Sequence, residues 1–151
     1  MKKVFSAGGV LINDNNEVYL LHQTVRDEWI LPKGGIEEGE DEITAATREM
    51  KEETGYHNFE AMHQEPIYIQ NFSFLHPNTG EEYDKTVTFF LFKLLDNNLE
   101  KTKEMEEEHL EGKWFPLEEA IKKISFDDLR IVLEKTKEKI ATFSLPLQNP
   151  S

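Results

Sequence analysis

A chain of 151 residues with 30 acidic side chains against 17 basic ones, a net charge of −13, repels nucleic acid backbones and anionic membranes and admits a small anionic substrate only with a cation. The absence of cysteine removes disulfides, zinc thiolate sites and thiol nucleophiles together, and the length suits one domain over residues 1–151 that rests on its core alone. Met1-Lys2-Lys3 leads into an alternating stretch rather than a signal-peptide run, and no apolar run reaches about 18 residues, so a cytoplasmic protein without a membrane span is expected.

Residues 3–12 and 17–23 are β-rich and flank the turn formers Asn13-Asp14-Asn15-Asn16, which predicts a hairpin. Trp29-Ile30-Leu31 is a short apolar run stopped by Pro32, and residues 33–42 are glycine-rich and charged, a loop by composition. A helix follows: Ile43, Ala46, Met50 and Thr54 recur at helical spacing, and Gly55 sits where a left-handed cap belongs. Residues 58–76 and 85–95, with many aromatic and β-branched side chains, predict two long strands around the turn His76-Pro77-Asn78-Thr79-Gly80. Residues 97–112 are charged and read as irregular, Lys113-Trp114-Phe115 as a short strand, and Pro116 as the opening of a helix through Leu117, Ala120 and Ile121. The last helix starts near Ser125, which with Asp128 has the form of a capping box, and Leu129, Val132, Leu133 and Ile140 give it an apolar stripe. Strands, helix, strands, helices is the order of a mixed α/β protein with a largely antiparallel or mixed sheet.

The chemistry is concentrated between Gly34 and Tyr56. These 23 residues hold Gly34, Glu40, Arg48-Glu49, Glu52-Glu53 and Gly55. On the predicted helix Glu49, Glu52 and Glu53 fall within about 100° of one another, away from the apolar face. Glu49 and Glu53 are a like-charge pair four residues apart, at a cost of about 0.2–0.5 kcal/mol, near a helix C-terminus whose dipole also disfavours anions. Such a conflict between local preference and placement points to a functional site, and carboxylate-only ligands suit Mg²⁺ or Mn²⁺. The alternative is a solvated acidic face. Arg48 stands one turn before Glu52, where it pairs with Glu52 or with Glu40 and holds the carboxylates in place. Gly34, Gly35 and Gly39 let the loop turn a carbonyl toward a cation or amides toward phosphate oxygens.

This segment resembles the signature of the Nudix hydrolase family and matches it at every fixed position. It departs only in the last, normally aliphatic place, where Tyr56 stands, and a tyrosine can still bury its ring. Ser6-Ala7-Gly8-Gly9-Val10 and Trp114-Phe115-Pro116-Leu117 look like the family's flanks. The resemblance implies an α/β fold, a Nudix-type α/β/α sandwich around a mixed, largely antiparallel sheet. It also implies Mg²⁺ dependence and hydrolysis of a nucleoside diphosphate linked to another group, with Glu49, Glu52, Glu53 and the backbone carbonyl of Gly34 as metal ligands.

Splitting a phosphoanhydride needs neutralised phosphate charge, an oriented water and a proton acceptor. Glu52 is the first candidate for the acceptor. Glu108 is the second, because several family members use a glutamate in this region as ligand or base; His109 stands beside it, and the surrounding acidic run is otherwise a solvated loop. Lys33 and Lys85 are candidate phosphate contacts, each otherwise a surface lysine. Phe72, Phe74, Phe89, Phe90 and Phe92 are expected in the core, with one or two available to stack on a base. Trp29-x-x-Pro32-Lys33-Gly34-Gly35, with Glu108-His109 ahead of Trp114, resembles the dinucleoside polyphosphate hydrolase branch and relatives acting on diphosphoinositol polyphosphates. The tyrosine that branch often carries beyond the signature falls here on Phe72 to Phe74. The alternatives are a MutT-type nucleoside triphosphate pyrophosphatase and a catalytically silent nucleotide-binding module, the latter with no need for all three helix acids. The expected partner is a small nucleotide or polyphosphate, with no nucleic acid and no membrane, and monomer or homodimer is left open.

Overall fold

Strand β1 (Lys2–Ile12) runs through an eight-stranded mixed sheet in the computed structural model, which describes residues 1–144 of the chain. Its full length pairs in parallel with β7 (Glu82–Leu94), from Lys2 opposite Tyr83 to Ile12 opposite Lys93. The other strand pairings among the described residues are antiparallel.

The Asn13–Asn16 turn forms as its composition predicts. The Asn13 side-chain oxygen accepts the N–H groups of Asn15 and Glu17, and Asn16 takes a φ of 56° that asparagine tolerates. The hairpin it starts lasts one register pair, Ile12 opposite Val18, between β1 and β2 (Glu17–Gln23). Beyond it the strands diverge, since β2 follows β8 (Leu110–Pro116) along its whole length. Two short strands fill the gap: β3 (Glu28–Ile30) lies on the end of β2, and β4 (Lys33–Gly35) on Ser6–Gly8 of β1. Residues 33–35, read from composition as loop, are therefore a strand, wedged into the mouth of a V. Gly8 makes room for it, because a Cβ there would stand 2.1 Å from the Pro32 carbonyl oxygen.

The long strand expected over 58–76 is broken. β5 (Phe59–Ala61) and β6 (Tyr68–Leu75) both pair with β7. Between them the Met62 and Ile67 N–H groups still reach the Leu91 and Phe89 carbonyls, and the four intervening residues, ending at Pro66, leave the ladder.

Side chains alternate across β1 and β7, and the helices divide accordingly. α1 (Glu42–Thr54) buries Ala45, Ala46 and Met50 against Ala7, Leu11, Phe90 and Phe92. On the other face α3 (Leu117–Lys123) and α4 (Asp127–Ser144) bring Ala120, Leu129, Val132 and Leu133 onto Val10, Ile12, Phe89 and Leu91. This is the expected α/β/α sandwich. Each fully buried side chain of leucine size contributes about 1.5–3 kcal/mol, so two such cores hold the fold in a chain without cysteine. No described helix is long and apolar enough to cross a membrane.

Two local expectations are corrected. Ser125 does not cap α4: its hydroxyl accepts the Trp29 N–H at 2.7 Å and its own N–H donates to the Trp29 carbonyl, tying the helical layer to β3. Pro116, by contrast, ends β8 and opens α3 at its N-cap position as expected. The acidic stretch read as irregular contains α2 (Lys103–Glu107), whose cap Thr102 accepts from the Met105 N–H and donates its hydroxyl to the Glu52 carbonyl. A side-chain cap and a tertiary anchor outweigh local charge repulsion here.

Candidate active site

Helix α1 is fixed at both ends by its own sequence. The Asp41 side chain accepts the Thr44 N–H at 2.9 Å, and Gly55 closes the helix at φ 81° with its N–H on the Lys51 carbonyl. Between these caps Arg48 gathers the loop. Its guanidinium grips Glu40 bidentately at 2.8 and 2.9 Å and donates to the Gly35 carbonyl and to Glu49, each at 2.9 Å. Glu52 lies at 3.3 Å. The hydrogen bonds from Arg48 hold the Glu40 carboxyl well below the usual range, at about 2. Tyr56, in the place where the family has an aliphatic residue, is 6 % exposed and accepts the Trp114 indole N–H on its hydroxyl.

Glu49 and Glu53 turn inward and are buried, whereas Glu52 stays part-exposed beside Arg48. The Glu49 carboxylate lies against the backbone of Gly34, where a Cβ would stand 2.2 Å from it; only glycine allows that approach. Glu53 accepts the Lys33 N–H at 3.0 Å. Burial, then the charge of Glu108, which is also within hydrogen-bond reach, pushes the Glu53 carboxyl far above the usual carboxylate range. Burial likewise raises Glu49, against the opposing pull of Arg48.

The element that delivers Glu108 is α2. Glu108 terminates that helix, and His109 at φ 56° turns the chain into β8. The Glu108 carbonyl accepts the Gln23 amide and the His109 carbonyl accepts the Thr24 N–H, both at 3.0 Å. These bonds use the His109 backbone and leave its ring no part in them.

A cavity of about 380 Å³ opens over this group, lined by Lys33, Glu53, Lys85 and Glu108. Lys85 is half-buried, and burial followed by the charge of Lys33 lowers its pKa. The far wall holds Gln70 and Phe72 from β6 and Phe126 from the α3–α4 connection. Phe89, Phe90 and Phe92 are in the core as expected, but Phe72 is 39 % exposed at the cavity rim and Phe74 is only part-buried. Phe126 was not legible as a site residue. Its only signal is a large aromatic residue in a polar linker between two helices, and its approach to β6 is set by how α4 packs.

The structure therefore brings Glu53, Glu108, Lys33 and Lys85 to one cavity wall, with Glu49 and Gly34 against each other next to it, and leaves Glu52 beside Arg48, off that wall. The acidic donors are all oxygen, and a cation beside buried, mutually repelling carboxylates reverses the cost of ionising them, so they fit a divalent metal ion. Among the described residues they do not stand as a closed cluster of three; Glu49 is held by Arg48 and Glu53 by the Lys33 amide.

Comparisons with known proteins show the family. The family model described as the NUDIX domain matches residues 2–135. An asymmetrical bis(5'-nucleosyl)-tetraphosphatase of Mus musculus is 30% identical over 125 residues, covering 81% of this chain and 80% of the mouse protein. An RNA pyrophosphohydrolase of Pelagibacter ubique is 31% identical over 144 residues, covering 88% of each. Among solved structures, a binary complex of a C. elegans Ap4A hydrolase is similar with a TM-score of 0.71 and 29% identity, covering 93% of this chain and 99% of that one.

Proposed function

The chain belongs to the NUDIX family of hydrolases, which cleave pyrophosphate bonds in nucleotide-containing compounds, and we propose that its own substrate is a dinucleoside polyphosphate, cleaved with Mg²⁺. The observation that carries this reading is the make-up of the cavity. Four acids, Glu28, Glu53, Glu108 and Asp128, share it with three cations, Arg26, Lys33 and Lys85, and with the exposed rings of Phe72 and Phe126. Phosphates seat on the lysines, and a ring stacked on a base contributes about 1–3 kcal/mol. Similarity to the mouse tetraphosphatase and the worm Ap4A hydrolase supports the same substrate class.

Glu49, Glu53 and the Gly34 carbonyl would hold the Mg²⁺, with Glu52 at the outer edge, and the ion supplies charge neutralisation on the phosphate oxygens. Arg48 and Glu40 keep the acids in place. Glu108 takes the proton of the attacking water; what supports it over Glu52 is its place on the cavity wall, where Glu52 has none. Water forms the new bond to phosphorus, the bridging P–O bond breaks, and a mononucleotide and a shorter nucleoside polyphosphate depart.

A second reading, removal of pyrophosphate from an RNA 5' end, draws on the similarity to the Pelagibacter protein. A net charge of −13 counts against a polyanionic substrate. The test is product analysis with Mg²⁺ on diadenosine tetraphosphate, a nucleoside triphosphate and a 5'-triphosphorylated RNA. We expect AMP and ATP from the first at the highest kcat/KM; faster pyrophosphate release from either of the others would contradict the proposal.

A further inference from the structure

We infer that the cleft continues onto an aromatic ladder on the β6–β7 hairpin, and that this ladder binds the second nucleobase of the substrate; the inference rests on the dinucleoside reading above. A cavity of about 380 Å³ is at the low end of ligand sites, which span about 300–1,000 Å³. It suits one nucleoside and its phosphates, so the second nucleoside of such a substrate lies outside it. Phe72 stands at the rim.

Residues two apart on a strand share a face, so Phe74 follows Phe72 on the face that looks into the cleft, with 6.0 Å between ring centres. Tyr83 is opposite Phe74 in the sheet register, 5.3 Å away ring to ring, and His76 follows at 5.1 Å from Tyr83. Lys85, a cavity residue, is opposite Phe72 and so on the same face. Neither core cluster contains Phe72, Phe74 or Tyr83, and within β6 the packing against the core is confined to Tyr68.

Cross-strand aromatic pairs stabilise a hairpin, but here four rings are left part-exposed or exposed in a continuous row that leads from the cavity rim. The charge around them selects the occupant. Lys2 holds its ammonium 5.8 Å over the Tyr83 ring at the middle of the row, and Lys85 is opposite Phe72 at its cleft end. In a protein of net charge −13, a row of rings with two cations beside it suits an aromatic base carried by an anionic chain.

The test compares steady-state kinetics on diadenosine tetraphosphate, with two bases, and adenosine 5'-tetraphosphate, with one. Phe74→Ala and Tyr83→Ala are expected to raise KM for the two-base substrate about 5- to 150-fold, the equivalent of one lost stack of about 1–3 kcal/mol. They should leave kcat, and KM for the one-base substrate, within about twofold, while Tyr83→Phe keeps the wild-type values. Lys2→Glu, on an exposed residue, should weaken the two-base substrate selectively and serves if an alanine variant fails to fold. Equal losses on both substrates, or none on either, would overturn the ladder and leave the proposed function standing. A wild-type enzyme that turns over neither compound would overturn both.

Discussion

Arg48 commits its guanidinium to oxygens of its own chain, those of Glu40, Glu49, Glu52 and Gly35, and so orients the acids instead of meeting substrate. That network was legible in the sequence, because a helix brings residues three and four apart together and the loop had one arginine to satisfy its glutamates. The different fates of neighbouring glutamates were less so. Glu52 and Glu53 are adjacent, yet Glu53 is buried and Glu52 faces Arg48, a distinction that depends on where β4 and α2 lie. The two candidates for the base separate experimentally. We expect Glu108→Gln to lower kcat by about 10²- to 10⁴-fold, as loss of a general base does, and Glu52→Gln to lower it less. Steady-state kinetics of the two variants on the same substrate checks this, and the reverse ranking would transfer the role to Glu52.

At the scale of elements, α1, α3 and the apolar stripe of α4 could be read locally, since periodicity and terminal residues are nearest-neighbour properties, whereas α2 and the role of Ser125 rest on tertiary bonds to Glu52 and Trp29. The wedge of β3 and β4 between β1 and β2 could not be read locally either. It depends on β1 pairing in parallel with β7, some eighty positions away along the chain, and no local signal carries that. The wedge also explains why two glycines have different duties. At Gly8 an added Cβ meets the Pro32 backbone, which cannot move without displacing β4; at Gly34 it meets only the end of the flexible Glu49 side chain. Gly8→Ala should therefore cost about 1–3 kcal/mol of stability by overpacking, measured by denaturant unfolding. Gly34→Ala should unfold near the wild-type midpoint and lose metal-dependent activity, because Glu49 is displaced from its place beside the Gly34 backbone. A Gly34→Ala enzyme with normal turnover would show that this close approach is not needed.

Across the whole molecule, charge is where composition said most. An excess of acid pointed to a cation, and the cleft holds the acids that resist ionisation most. The consequence for stability has a definite sign. With its pKa raised on folding, Glu53 retains a proton in the folded chain that the unfolded chain has already released above about 4.3, so the metal-free protein loses stability as pH rises from there. Glu40, held at about 2 by Arg48, acts oppositely: its contribution is present above the unfolded value and fades as pH falls toward 2. A cation beside Glu53 would remove the first effect. Replacing the buried acid by its neutral amide separates structure from chemistry. The decisive measurement is Mg²⁺-dependent turnover of diadenosine tetraphosphate by Glu53→Gln, with its metal-free melting temperature at neutral pH as the control. A cleft that works by holding metal predicts a fall in kcat of at least about 100-fold in a protein that melts no lower than the wild type. Near-normal turnover in that folded variant would contradict it.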